Sequence, residues 1–422
     1  MKRYSRIPSA MYALVWCALL LSTASAHAAE EDWQRLLPST EIAKQVLRDS
    51  PAAAQAIAQR RALEARADAL QAGSAEFNLR STQQRRQAID VTNRYNEHSF
   101  ALERPLRAWG KSALDEEVAA QTRVVADIGQ ADAMHEASRT LLQRWFDHLR
   151  AQSDRQLAQT QLKLAEQLTQ QTLARYRHGE VSQLDVSLTQ ADLLRTQALH
   201  EQALAFTAQT QTVLQRHYPQ LPLPHETLPA VALPQAQSLA NQKDNYLEHN
   251  HELRWLRAES KRLSLWSERV SRDRWPDPTV GLFTANERDG ADRIRGVSLA
   301  FPLSGSARSA SAKVAAQEAL AAHSRLQLAE AQWSAHFDSQ VALVIARLSS
   351  AQKLKSAAQA QSDAARKAAK AYALGEHTMA ELIQIQRNAA EQNRDAMRET
   401  LDALSLWATL QLDLHLLWDM DE

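Results

Sequence analysis

The sequence predicts a mostly helical fold: two copies of a long coiled-coil hairpin, each carrying one pair of short strands. Three observations lead there. The phrase Tyr176-x-x-Gly179-Glu180-x-Ser182-x-x-Asp185 returns 196 positions later as Tyr372-x-x-Gly375-Glu376-x-Thr378-x-x-Glu381, and the match runs on to Gln190 and Gln386. None of the 12 prolines falls between Pro105 and Pro219 or after Pro302. Proline breaks helices, and those two stretches are rich in the strong helix formers Ala, Leu, Gln, Glu, Lys and Arg. Finally, Leu382, Ala389, Ala396, Ala403, Leu410 and Leu417 recur every seven residues, the period that winds helices around their neighbours with a left-handed twist.

Taken in order, residues 1–28 read as a secretory leader. Lys2, Arg3 and Arg6 supply its charge, Met11 to Leu21 its apolar run, and Ala26-His27-Ala28 a cleavage site. Trp16 before Cys17 speaks against lipid attachment. Without the leader, basic and acidic residues stand at 46 against 49, from 49 each in the full sequence. That balance gives no support for nucleic-acid binding, which calls for a basic stripe. No cysteine remains for a disulfide or a thiolate. No later segment has the ~20 apolar residues of a membrane helix, so any membrane passage must use strands.

Ser50-Pro51 opens a helix. Phe77 with Leu79, and Phe100 with Leu102 before Pro105-Leu106, alternate as the first strand pair. A helix from about Arg107 to Tyr176 would reach roughly 100 Å at 1.5 Å per residue. Around its turn, the stripe Leu157, Gln161, Leu164 and Leu168, resumed by Leu184, Leu188 and Ala191, is expected to face the neighbouring helix. Five prolines from Pro219 to Pro234 form a linker. The second half restarts at Asn250-His251-Glu252 and stops at Trp275-Pro276-Asp277-Pro278. Strands then follow over Thr279 to Thr284 and Gly296 to Phe301, with Asn286 to Arg293 as the loop. Pro302-Leu303 lies 197 residues after Pro105-Leu106, so the strand pair is duplicated too. The organisation expected is leader, a first repeat over 29–218, a linker over 219–234 and a second repeat over 235–422. Four strands cannot close a barrel. Three copies would supply twelve, an even number suited to a membrane barrel without open edges.

These residues resemble the TolC family of outer membrane efflux proteins. The resemblance rests on Ala174 through Val186, on Pro276-Asp277-Pro278-Thr279-Val280-Gly281, and on Gly296-Val297-Ser298-Leu299-Ala300-Phe301-Pro302-Leu303. It implies a homotrimer: a twelve-stranded barrel in outer-membrane lipid continued by a periplasmic tunnel of coiled helices. A periplasmic membrane-fusion adaptor and, through it, an inner-membrane pump are the implied partners. Leu102-Glu103-Arg104-Pro105-Leu106 and Trp109-Gly110-Lys111 further resemble the heavy-metal branch served by resistance-nodulation-division pumps. Ala75-Glu76-Phe77 replaces the family's Pro-x-Pro before the first strand.

The resemblance places Tyr176, Gly179, Glu180, Ser182, Tyr372, Gly375, Glu376 and Thr378 at the periplasmic tip where the adaptor docks. Asp185, Glu381 and Gln384 fall at the entrance constriction, with Gln384 standing where the family has a second acidic residue. Counted from the glycines, Asp185 and Glu381 lie about one and a half turns into the returning helices. Three subunits would gather six carboxylates, a ring that attracts cations.

Plainer readings accompany each site. Asp185, Glu180, Glu376 and Glu381 suit the start of a helix through its dipole. Tyr176 and Tyr372 suit packing at the turns, and Arg175 and Arg177 suit solvated pairing with acids. Glu248-His249-Asn250-His251-Glu252 has metal-ligand chemistry, yet sits where a helix begins and does not converge on one ion. His178 and His377 flank the turns as surface or as pH-responsive groups. No phosphate loop, His-Glu-x-x-His or nucleophile elbow occurs, so neither an enzyme nor a cofactor is expected. A periplasmic coiled-coil adaptor or structural protein is the rival class, though it needs no strand pairs.

Overall fold

The computed structural model describes residues 32–73, 75–87, 89, 94–224, 227–236, 239–303 and 305–420. The expected leader lies outside these residues. Described elements run α1 (Thr40–Arg48), α2 (Pro51–Ala72), β1 (Asn78–Gln87), β2 (Arg94–Pro105), α3 (Lys111–Arg177), α4 (Gln183–His217), α5 (Lys243–His249), α6 (His251–Ser271), β3 (Thr279–Glu287), β4 (Asp292–Ala300), α7 (Ser306–Ala373) and α8 (Met379–Asp413). The element order repeats, and so do the lengths: α3 and α7 have 67 and 68 residues, α4 and α8 have 35 each. The fold is mostly helical with one four-stranded antiparallel sheet in the order β1-β2-β3-β4.

Two compact units share the chain. One takes Ala54–Ala133 and Leu247–Trp333, the other the remaining described residues, so each draws on both sequence halves.

In the first of these units the sheet is followed by a polar hub. Lys111 is fully buried, its Nζ bonded to the Trp275 carbonyl at 2.8 Å and paired with Asp277 at 3.0 Å and Asp273 at 3.2 Å. Asp115 accepts from Arg107 at 3.2 Å and from Arg269. Three cations thus meet three carboxylates, the condition under which buried charge is tolerated. Burial pushes the Asp273 carboxyl up, but Arg269 and Lys111 hold it below its ordinary range. Arg107 also donates to the carbonyls of Leu70, Gln71 and Ala72, closing the C-terminus of α2.

The other unit has an aromatic and leucine core: Trp33, Leu141, Leu142, Trp145, Phe146 and Leu149, with Tyr246 against Phe337 at 4.9 Å between ring centroids. Trp145 donates its indole N–H to the Leu36 carbonyl at 2.7 Å. All six members of the Leu382-to-Leu417 stripe are buried here, as expected.

Two expectations need correction. The stripe on α3 and α4 is out by one residue: Leu164 and Leu184 are exposed, whereas Ala151, Ala158, Ala165 and Thr172 are buried. Thr207 bonds to the Ala151 carbonyl and Thr169 to the Thr189 carbonyl, so the hairpin closes on alanine and threonine. Small side chains win because they let the backbones approach closely. The Asn286-to-Arg293 loop is also shorter than expected, because β3 runs to Glu287 and β4 starts at Asp292.

Candidate functional site

Both repeated turns are Schellman motifs followed by capping boxes. Glu180 N–H donates to the Arg175 carbonyl and Gly179 N–H to that of Tyr176; Glu376 and Gly375 repeat this with Ala371 and Tyr372. Gly179 and Gly375 take φ of 77° and 83°, a conformation that costs other residues free energy. The returning helices then start on Ser182 and Thr378. Each hydroxyl accepts from the backbone N–H three residues on, and the Asp185 or Glu381 carboxylate accepts from the cap's own N–H at 3.0 and 2.9 Å.

This geometry corrects two positions. Asp185 and Glu381 are the third residues of α4 and α8, in the first turn rather than one and a half turns in. Glu180 and Glu376 precede the caps and belong to the turns, not to the helices. The Thr378 N–H and hydroxyl hold the Glu381 carboxyl below its usual range, with His377 3.5 Å away, so it is ionised at neutral pH.

The two turns also touch. The Arg175 guanidinium sits 5.5 Å above the Tyr372 ring and pairs with Glu180 at 3.2 Å. Burial raises the Tyr372 hydroxyl, which Arg175 opposes and Asp185 reinforces. Tyr176 is exposed rather than packed. Beyond the turns, Arg387 of α8 bonds to Asp192 of α4 at 2.8 Å, and Gln384 bonds to Asn388 at 2.9 Å. Arg175–Tyr372 and Asp192–Arg387 join residues 197 and 195 apart in the chain, and no local motif announces them.

In the other unit, register sorts the sheet into two faces. Leu79, Leu102, Leu282 and Val297 pair across all four strands and are all exposed. On the same face, one row away, Val280 and Leu299 lie beside Arg104, which is 4.8 Å from the Phe77 ring. The opposite face is ionic: Arg80 meets Glu103 at 3.4 Å, and Arg86 meets both Glu97 and Glu287 at 3.1 Å. Exposed apolar on one side and charged on the other is the pattern of a strand between lipid and an aqueous lumen.

Solved structures share this architecture. The outer-membrane channel OprN matches with a TM-score of 0.76 at 16% identity, over 92% of this chain and 93% of that one. The Campylobacter jejuni CmeC outer membrane channel matches at 0.72 and 11%, over 92% and 87%. The open state of the Neisseria gonorrhoeae MtrE outer membrane channel matches at 0.62 and 16%, over 93% and 92%. The chain has the fold of an outer-membrane channel. No family model and no curated protein matches the sequence. The solved relatives are channel proteins and not enzymes.

Within the channel fold, the remaining sequence candidates have structural work. Asn250 caps α6 through the Leu253 N–H, and Glu252 accepts from the Trp333 indole. The stretch from Leu102 to Lys111 ends β2 and enters the buried hub. No helix among the described residues is long and apolar enough to cross a membrane.

Proposed function

We propose that this chain is one subunit of a homotrimeric outer-membrane exit duct. The observation that carries the reading is the two-faced sheet with free edges at β1 and β4. Three copies joined edge to edge close a twelve-stranded barrel, apolar outside and ionic inside. The helical hairpins then form a periplasmic tunnel, with Tyr176, Gly179, Glu180, Ser182, Tyr372, Gly375, Glu376 and Thr378 at the tip that receives the adaptor. The duct is passive, and an inner-membrane pump supplies the cargo through that adaptor. Recovery in the outer membrane as a trimer that runs faster before heating than its mass predicts is the expected result. A soluble periplasmic chain would refute it.

For cargo, metal cations are the proposal, motivated by the resemblance of the Leu102-to-Lys111 stretch and by the acidic residues at the turns. Deletion should sensitise cells to metals; sensitivity to drugs alone would move the assignment to organic compounds, and loss of an exported protein to a secretion duct. Asp185, Glu381 and Gln384 are proposed to line the constriction. Neutralising Asp185→Asn with Glu381→Gln should raise anion conductance in a planar bilayer, and unchanged selectivity would remove them from it.

A further inference from the structure

All the carboxylates of the four strands, Glu97, Glu103, Glu287 and Asp292, lie on the ionic face, whereas the leucine face carries arginine without any acid. Next to the Leu79-Leu102-Leu282-Val297 row comes Ser81, Phe100, Thr284 and Arg295. Toward the hairpin ends follow Arg293 beside Asn286 and His98, then Arg85 opposite Asn96, then Arg94 opposite Gln87. Rows on one face are roughly 7 Å apart, so the cationic band adjoins the apolar one directly.

Arg85, Arg94, Arg293 and Arg295 are exposed, and among the described residues none pairs with a carboxylate. Arg85 reaches only the Asn96 amide oxygen, at 3.4 Å. On the opposite face, Arg80 and Arg86 have acidic partners. The contrast is between two faces of the same strands. Barrel closure would not supply the missing anions, because the edge strand brought alongside has the same acid-free face.

We propose that Arg85, Arg94, Arg293 and Arg295 form a belt that binds the phosphate groups of anionic lipid in the surrounding leaflet. The order of bands, apolar and then cationic, matches a lipid molecule's acyl chains and phosphates. Guanidinium groups grip phosphate oxygens in pairs. A free phosphate would use the arginines and ignore the leucines; a phospholipid uses both. The inference rests on the barrel reading above.

The test uses purified full-length protein in detergent, with diphosphoryl lipid A as the probe and native mass spectrometry to count retained lipid. The wild type should retain it, and the variant carrying Arg85→Gln, Arg94→Gln, Arg293→Gln and Arg295→Gln should retain roughly tenfold less. Lipid stripped of its phosphates should bind both proteins equally weakly. Equal retention by the two proteins overturns the proposal, as does displacement by equimolar inorganic phosphate. The half variants Arg85→Gln/Arg94→Gln and Arg293→Gln/Arg295→Gln each leave two arginines and should each lose part of the retention, so misfolding of the fourfold variant does not decide the matter. Outer-membrane recovery and heat-dependent mobility are read on the same preparations. Insertion without phosphate preference sinks the belt alone, whereas a soluble protein sinks the barrel with it.

Discussion

Glycines at positive φ in this chain are not equivalent. A Cβ at Gly73 would lie 2.6 Å from the Arg107 Cζ, while at Gly375 it would meet nothing within 4 Å. Both have left-handed φ, 71° and 83°, a strain of about 1–2 kcal/mol for alanine. Gly375→Ala should therefore lose only that strain. Gly73→Ala should lose about twice as much, because it also displaces the guanidinium that closes α2. Thermal unfolding of the two variants side by side checks the ranking. Asp413 offers a pH test. Burial raises its carboxyl to about 6, although Arg139 opposes this at 2.8 Å. His135 and His415 stack nearby, with His135 3.7 Å from the carboxylate. An acid whose folded pKa exceeds its unfolded value binds its proton more tightly when folded. Wild-type stability relative to Asp413→Asn should thus rise as pH falls from about 6 to about 4, by on the order of 2–3 kcal/mol. Denaturant unfolding across that range would show it, and a flat difference would contradict it.

Among the elements, the capping boxes have parts only three residues apart, but counting turns from Gly179 and Gly375 set Asp185 and Glu381 too deep in the returning helices. Ser182 with Asp185 and Thr378 with Glu381 are close enough that sequence spacing alone specifies the hydrogen bonds. Ser182→Ala and Thr378→Ala should each weaken the turn by about 0.5–2 kcal/mol, seen as faster amide exchange confined to residues 175–190 or 371–386. The α3 seam was not legible. Leu157 and Leu164 repeat every seven residues, but so do Ala158 and Ala165, and periodicity cannot choose between phases. Tight approach of α3 to α4 chose alanine. Ala158→Leu should overpack the seam by about 1–3 kcal/mol, whereas Leu164→Ala should leave the isolated chain's hairpin nearly unchanged. In α8, Leu382 and Leu410 share a phase with Ala389, Ala396 and Ala403, so both rules pointed to the same face.

For the whole molecule, the deciding feature is a sheet with unpaired edges and an exposed apolar face, a combination that is unfavourable in water. The proposed closure of three copies in lipid would resolve both problems. Leu282→Arg, on the apolar face, should hinder assembly by about 2–4 kcal/mol, while Thr82→Arg on the ionic face should be accepted. The yield of heat-sensitive trimer in the outer membrane compares them directly.

Local pattern was enough to determine the helices, their turns and the existence of both strand pairs, because each depends on residues within about one turn or one strand length, and comparing the two repeated phrases exposed the duplication. Tertiary structure alone decided which heptad phase of α3 is buried, how the strand charges divide between faces, and how Lys111, Asp115 and Arg269 share one buried network. The reason is distance along the chain. Arg269 meets Asp115 from 154 residues away and Arg387 meets Asp192 from 195, and neither residue carries a mark of the partner that folding brings to it.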